Sequence, residues 1–119
     1  QGCVDCTIVL NGKVSTDTLE LWRSERVAVD VNCRLATVQV DISKEITFRY
    51  GQKDLFESVV QAGVRDLKIL FADASIPDVT TGYDHLVEQY PGINDTTDQF
   101  ITRIVDGALL TEQIVRLKN

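Results

Sequence analysis

Apolar residues alternate with polar ones through the first fifty positions, and then recur at longer spacing. Val27, Val29, Val31, Cys33 and Leu35 interleave with Arg26, Ala28, Asp30, Asn32 and Arg34, the pattern of a strand with one face covered. Val38, Val40 and Ile42 resume the alternation in the opposite phase. A one-residue change of phase predicts a turn or bulge around residues 32–36, with Ile42 on the buried side. Ile46, Phe48 and Tyr50 repeat the period of two before Gly51. Upstream, residues 6–10 read as a strand, and Asn11-Gly12 is a hairpin signal, because a type I′ turn needs positive φ at both central positions. Leu19, Leu21 and Trp22 lie in a further β-prone run. The pattern predicts an antiparallel meander of about five strands over residues 6–50.

Residues 53–72 change the period. Leu55, Phe56, Val59, Val60, Gly63, Val64, Leu67, Leu70 and Phe71 fall on one helical face, and Lys53, Asp54, Glu57, Ser58, Gln61, Arg65, Asp66 and Lys68 on the other. This predicts an amphipathic helix roofing the sheet, about 30 Å long. A competing reading ends a helix at Gly63 and makes residues 67–72 a buried strand. Residues 73–82 read as a loop around Pro77, and residues 83–90 as a short helix stopped by Pro91-Gly92. Thr96 and Gln99 have capping-box spacing for a helix over residues 100–108, which Gly107 ends or kinks. Leu110, Ile114 and Leu117 form a last apolar stripe. The predicted fold is a single α+β domain over residues 1–119: an N-terminal antiparallel β-meander packed against a long central helix and C-terminal helices. No internal repeat is visible.

Composition supports one folded domain. The chain has 119 residues, 44% of them hydrophobic, and that is enough to form a core. No apolar run approaches the ~20 residues of a membrane helix, so no membrane partner is expected. A net charge of −6 with scattered Lys and Arg makes nucleic acid an unfavourable principal partner. A first residue of Gln and the absence of Met are compatible with an exported, processed chain. The reading accordingly favours an exported, extracellular or virion setting over the cytoplasm.

Few residues carry recognisable chemistry. Cys3-Val4-Asp5-Cys6 has the spacing of a disulfide, a redox dithiol or half a metal site. It precedes a strand rather than a helix N-terminus, which argues against a thioredoxin-type pair. Cys33 falls on the apolar face of its strand and reads as a core residue. With His85, the only histidine, the three cysteines have the ligand types of a tetrahedral zinc site, and this makes zinc the one cofactor to consider. Asp73, Asp78 and Asp84 gather around one loop, and Asp95 and Asp98 around the next, without calcium-loop spacing. Asn94-Asp95-Thr96 fits a glycosylation sequon. No catalytic residue or cofactor-binding motif emerges. The expected function is a non-enzymatic structural or protein-interaction subunit that self-associates, with interface candidates Trp22, Phe48, Tyr50, Leu110, Ile114 and Leu117. The alternatives are a thiol-redox or zinc protein built on Cys3 and Cys6, and a small-ligand domain or enzyme with a sheet–helix pocket near His85.

Overall fold

The computed structural model describes residues 4–11, 18–73, 76–90, 92 and 98–114. Its elements run β1 (Val4–Asn11), β2 (Thr18–Trp22), β3 (Glu25–Asn32), β4 (Thr37–Asp41), β5 (Lys44–Tyr50), a 3-10 turn (Lys53–Leu55), β6 (Ser58–Ala62), β7 (Arg65–Phe71), β8 (Val79–Thr81), α1 (Tyr83–Gln89), β9 (Gln99–Val105) and β10 (Ala108–Gln113). Strand accounts for 62% of the described residues and helix for 10%. The fold is therefore almost all β, and the expected α+β architecture with a long central helix and C-terminal helices is wrong. Of the predicted helices, α1 matches the one read over residues 83–90.

The strands form coils, not a meander. β1, β3, β5 and β7 lie side by side and parallel in one sheet, which we term A, while β2, β4 and β6 do the same in the other, sheet B. The chain crosses to the opposite sheet after each strand, so each pair of strands is one turn of a solenoid. Cys6 stacks on Val27, Val27 on Ile46 and Ile46 on Leu67, giving offsets of 21, 19 and 21 residues. In sheet B, Leu19 stacks on Val38 and Val38 on Val59, offsets of 19 and 21. The repeat of about 20 residues is one of geometry, with little repetition of residue identity to reveal it. Asn11-Gly12 accordingly closes no hairpin between β1 and β2, which belong to different sheets. Alternation shows that one face of a strand is buried; it does not show which way the neighbouring strand runs.

The inward residues of the two sheets make the core. Val27, Val29, Val31, Ile46, Phe48, Tyr50, Leu67 and Ile69 face Leu21, Val38, Val40 and Val59, all buried. Tyr50, Phe56 and Phe71 close one end with ring centroids 5.1 to 5.7 Å apart. Residues 53–72 contain two strands and a corner. Val59 and Gln61 point inward, Gly63 turns the chain at φ 65°, and Leu67, Ile69 and Phe71 point inward again. The change of phase at the corner, the buried Gln61 and the outward Val60 and Leu70 together imitate a helical stripe. The competing reading correctly makes a strand of the segment after Gly63, but no helix precedes it.

Left-handed residues build the corner that joins sheet B to sheet A. Arg23, Ile42 and Gly63 form one column of positive φ, at 52°, 48° and 65°. Asp5, Arg26, Glu45 and Asp66 form a second, at 53° to 55°. Between them, backbone bonds tie coil to coil: Ile42 N–H donates to Ala62 O at 2.9 Å, Lys44 N–H to Ser24 O at 3.1 Å, and Arg65 N–H to Ser43 O at 3.0 Å. The Ser43 hydroxyl accepts from Ser24 N–H at 3.1 Å and donates to Asp41 O at 2.9 Å. Ile42, expected in the core, is 51% exposed because the corner turns it outward.

The C-terminal end of the solenoid is sealed by reversing the chain. β8 pairs antiparallel with β7, α1 crosses over, β9 pairs antiparallel with β6, and β10 pairs antiparallel with β9. Gly82 makes the crossing possible. It sits at φ 129°, and a Cβ there would stand 2.8 Å from Asp66 N, so no other residue fits. Asp106 and Gly107, at φ 52° and 80°, form the β9–β10 turn with the two positive φ values of type I′. At the other end, Cys6, Ile8, Leu10 and Leu19 are only partly buried against the core.

Candidate interaction surface

The residues singled out for thiol or metal chemistry do not converge. Cys6 points inward from β1, half-buried, with Sγ 3.3 Å from Val4 O. Cys33 is buried beyond the end of β3. Cys6 is in register with Val27, so Cys33 lies six residues further along the adjacent strand, about 20 Å away at 3.3 Å per residue. These two cannot form a disulfide, and Cys3 lies outside the described residues. His85 sits on α1 with its side chain half-exposed, its Nε2 3.7 Å from Asp84 Oδ2. Among the described residues no three histidine, cysteine or acidic side chains gather as metal ligands, so Cys6, Cys33 and His85 assemble no zinc site. Asp84 Oδ1 accepts Asp66 N–H at 3.2 Å, a cap between helix and corner. The sequon and the capping-box threonine lie outside the described residues.

Among the described residues, the space between α1 and the sheets holds a cavity far below ligand size. The cavity lined by Gln61, Gly63, Tyr83, Leu86, Asp98 and Phe100 has about 10 Å³, room for a single water. The larger concavities are open grooves on the outside of the solenoid.

The interface candidates divide by position. Phe48 and Tyr50 are buried in the core. Trp22 stays 44% exposed on β2, one edge of sheet B, with the Arg23 guanidinium 5.6 Å from its ring. Leu110 is 42% exposed on β10, the opposite edge. Ile114 is half-buried and donates its N–H to Gln99 O at 2.8 Å, which anchors the end of β10. Leu117 lies outside the described residues.

The β9–β10 hairpin is the most developed of these surfaces. Phe100, Thr102 and Ile104 face inward, which leaves Ile101, Arg103 and Val105 outward. In register with them, Glu112, Leu110 and Ala108 also face outward. Arg103 and Glu112 pair at 2.8 Å across the hairpin, and the Thr102 and Thr111 hydroxyls lie 2.7 Å apart on the inner side. Val105 and Leu110 thus present an exposed apolar surface beside β10, an edge strand among the described residues. Sequence reasoning overlooked Val105, because it placed this segment in a helix. Asp106-Gly107 between two β-prone runs was the signal for a hairpin. No family model, curated protein or solved structure matches the chain.

Proposed function

We propose that this chain is a non-enzymatic interaction module that self-associates through the edge of β10. One observation carries the reading: β10 is a six-residue edge strand, free of proline, with Leu110 exposed along it and Val105 and Ala108 beside it. Proteins ordinarily blunt such edges with short strands, charges or bulges, since an open row of N–H and C=O groups recruits another strand. At the same end of the solenoid the edge of sheet A, β8, has only three residues, while β1 at the other end has eight. A two-fold pairing of β10 with β10 of a second copy would join two five-stranded sheets and cover the apolar residues of both, an isologous contact.

Light scattering of the purified protein across the micromolar range tests the proposal. The expected result is a dimer, with Leu110→Lys shifting it to monomer while leaving the circular dichroism unchanged. A wild-type protein that remains monomeric at the highest concentration would remove the proposal.

A further inference from the structure

The hydrogen bonds of the β9–β10 hairpin fix which backbone groups β10 turns away from its neighbour. Ile114 N–H donates to Gln99 O at 2.8 Å, and the register runs on from there through Gln113 on Phe100 to Ala108 on Val105. Antiparallel partners alternate between bonded and non-bonded pairs. Glu112, Leu110 and Ala108 therefore direct their N–H and C=O groups at β9. Leu109, Thr111 and Gln113 aim theirs at the other side, where no strand stands among the described residues. The side chains divide the opposite way. Leu109 packs against the core and Thr111 lies on Thr102, while Ala108 and Leu110 are exposed.

A second copy of β10 related by a two-fold axis must bring Leu109, Thr111 and Gln113 of the two strands against one another, because these residues hold the outward backbone groups. The same condition keeps outward side chains beside outward ones. Two registers meet it and still overlap most of Ala108–Gln113. Centring on Leu110 sets Leu110 against Leu110, Ala108 against Glu112, and Leu109 against Thr111. Centring on Thr111 gains a bonded pair, Leu109 with Gln113. It also sets each Leu110 against a carboxylate, and it covers Glu112, which is paired with Arg103 at 2.8 Å. The two Glu112 residues then stand two positions apart along the strands, about 7 Å, inside the Debye length. Centring on Leu110 holds them four positions apart, about 14 Å, and outside it.

Resting on self-association through the edge of β10, we propose that a second copy docks in the register centred on Leu110, and that Leu110, Ala108 and Glu112 select it. Leu109 and Thr111 exchange backbone bonds with Thr111 and Leu109 of the partner subunit. Leu110 is in register with Arg103 on the neighbouring strand, so a row of side chains crosses the contact with leucines at its centre and an arginine on either flank. Each arginine is already held by the Glu112 of its own hairpin. The apolar centre is dehydrated and the charged pairs stay at the rim, the usual division of an interface. Ala108 is small where a carboxylate of the partner subunit arrives, and this leaves that carboxylate in water.

Disulfide trapping reads the register directly. In a Cys3→Ser/Cys6→Ser background, with the buried Cys33 kept, single cysteines are placed by Leu110→Cys, Thr111→Cys and Glu112→Cys and oxidised under mild conditions. In the proposed register the two residues at position 110 form a non-bonded pair with Cβ atoms about 4.5–5.5 Å apart, close to disulfide geometry, whereas those at position 111 are diagonal at about 7–8 Å. Leu110→Cys should form covalent dimer about tenfold faster than the other two. Ala108→Glu, which sets like charges opposite each other on both sides of the axis, should weaken the dimer about threefold or more relative to Ala108→Gln at low salt. Faster trapping at position 111 or 112, no trapping at any of the three positions, or equal affinities of the two Ala108 variants would each overturn this register in a protein that light scattering shows to be a dimer. A wild-type monomer by light scattering would instead remove the self-association itself, and the register with it.

Discussion

Tyr50 carries its hydroxyl into the core, where the oxygen is buried and has no hydrogen-bond partner among the described residues. Its ring earns the position by packing on Phe56 and Phe71. An unsatisfied buried hydroxyl costs about 1–3 kcal/mol, so Tyr50→Phe should raise the thermal midpoint while keeping the rings in place. Burial also pushes the Tyr50 phenol well above its ordinary range. Because the folded state holds this proton more tightly than the unfolded chain, the associated stability is complete below pH ~10 and is lost as the pH rises above it. Denaturant titrations at pH 8 and pH 11 should show a larger loss for wild type than for Tyr50→Phe. Gly82 makes the opposite case. With φ at 129° and Asp66 N where a Cβ would go, Gly82→Ala should destabilise by roughly 2 kcal/mol or more, readable in the same titration.

At the scale of elements, the hairpin turn is where sequence chemistry and geometry agree most closely. Asp106 and Gly107 both hold positive φ, and Gly107→Val would force a β-branched residue into that region. A loss of about 1–2 kcal/mol is expected, and with it a weaker dimer by light scattering, because the turn orders β10. The strands containing Val27 to Val31 and Ile46 to Tyr50 were legible in the sequence, since clean alternation leaves no other period, and so was α1. Residues 53–72 were not. A buried glutamine, Gln61, broke the alternation on the inner face, and Val60 and Leu70 added apolar positions on the outer one. The corners hid for a different reason. Arg23, Arg26, Ile42 and Glu45 are of types that seldom adopt positive φ, so nothing in their identity announces a turn. The candidate surfaces were legible only in part. Trp22 and Leu110 show as apolar residues in any reading. Ile42 looked like core, and its exposure follows from a corner that the alternation could not reveal.

At the scale of the molecule, each coil touches mainly the coils beside it, so stability is distributed along the axis. Of the coils described, the first is the weakest, because Cys6, Ile8, Leu10 and Leu19 are only partly buried. Hydrogen exchange should be fastest in β1 and β2 and slowest in β5, flanked on both sides by β3 and β7. Ile46→Ala, at a fully buried site, should cost about 2–5 kcal/mol; Ile8→Ala, half-covered, should cost visibly less. The stacking of Ser24 directly on the coil below has a further consequence. Lys44 N–H already donates to Ser24 O, and Glu25 to Ser43 is one period long, matching the 19-residue offset of Glu25 on Lys44. Excising that segment joins Ser24 to Lys44 with every remaining side chain still facing its former side. A shortened protein that folds, with the same strand signature and a lower melting temperature, is the expected product. Such a chain changes length by whole turns, as a spring does when a loop is cut out, and lineages carrying it are free to differ by increments of about 20 residues.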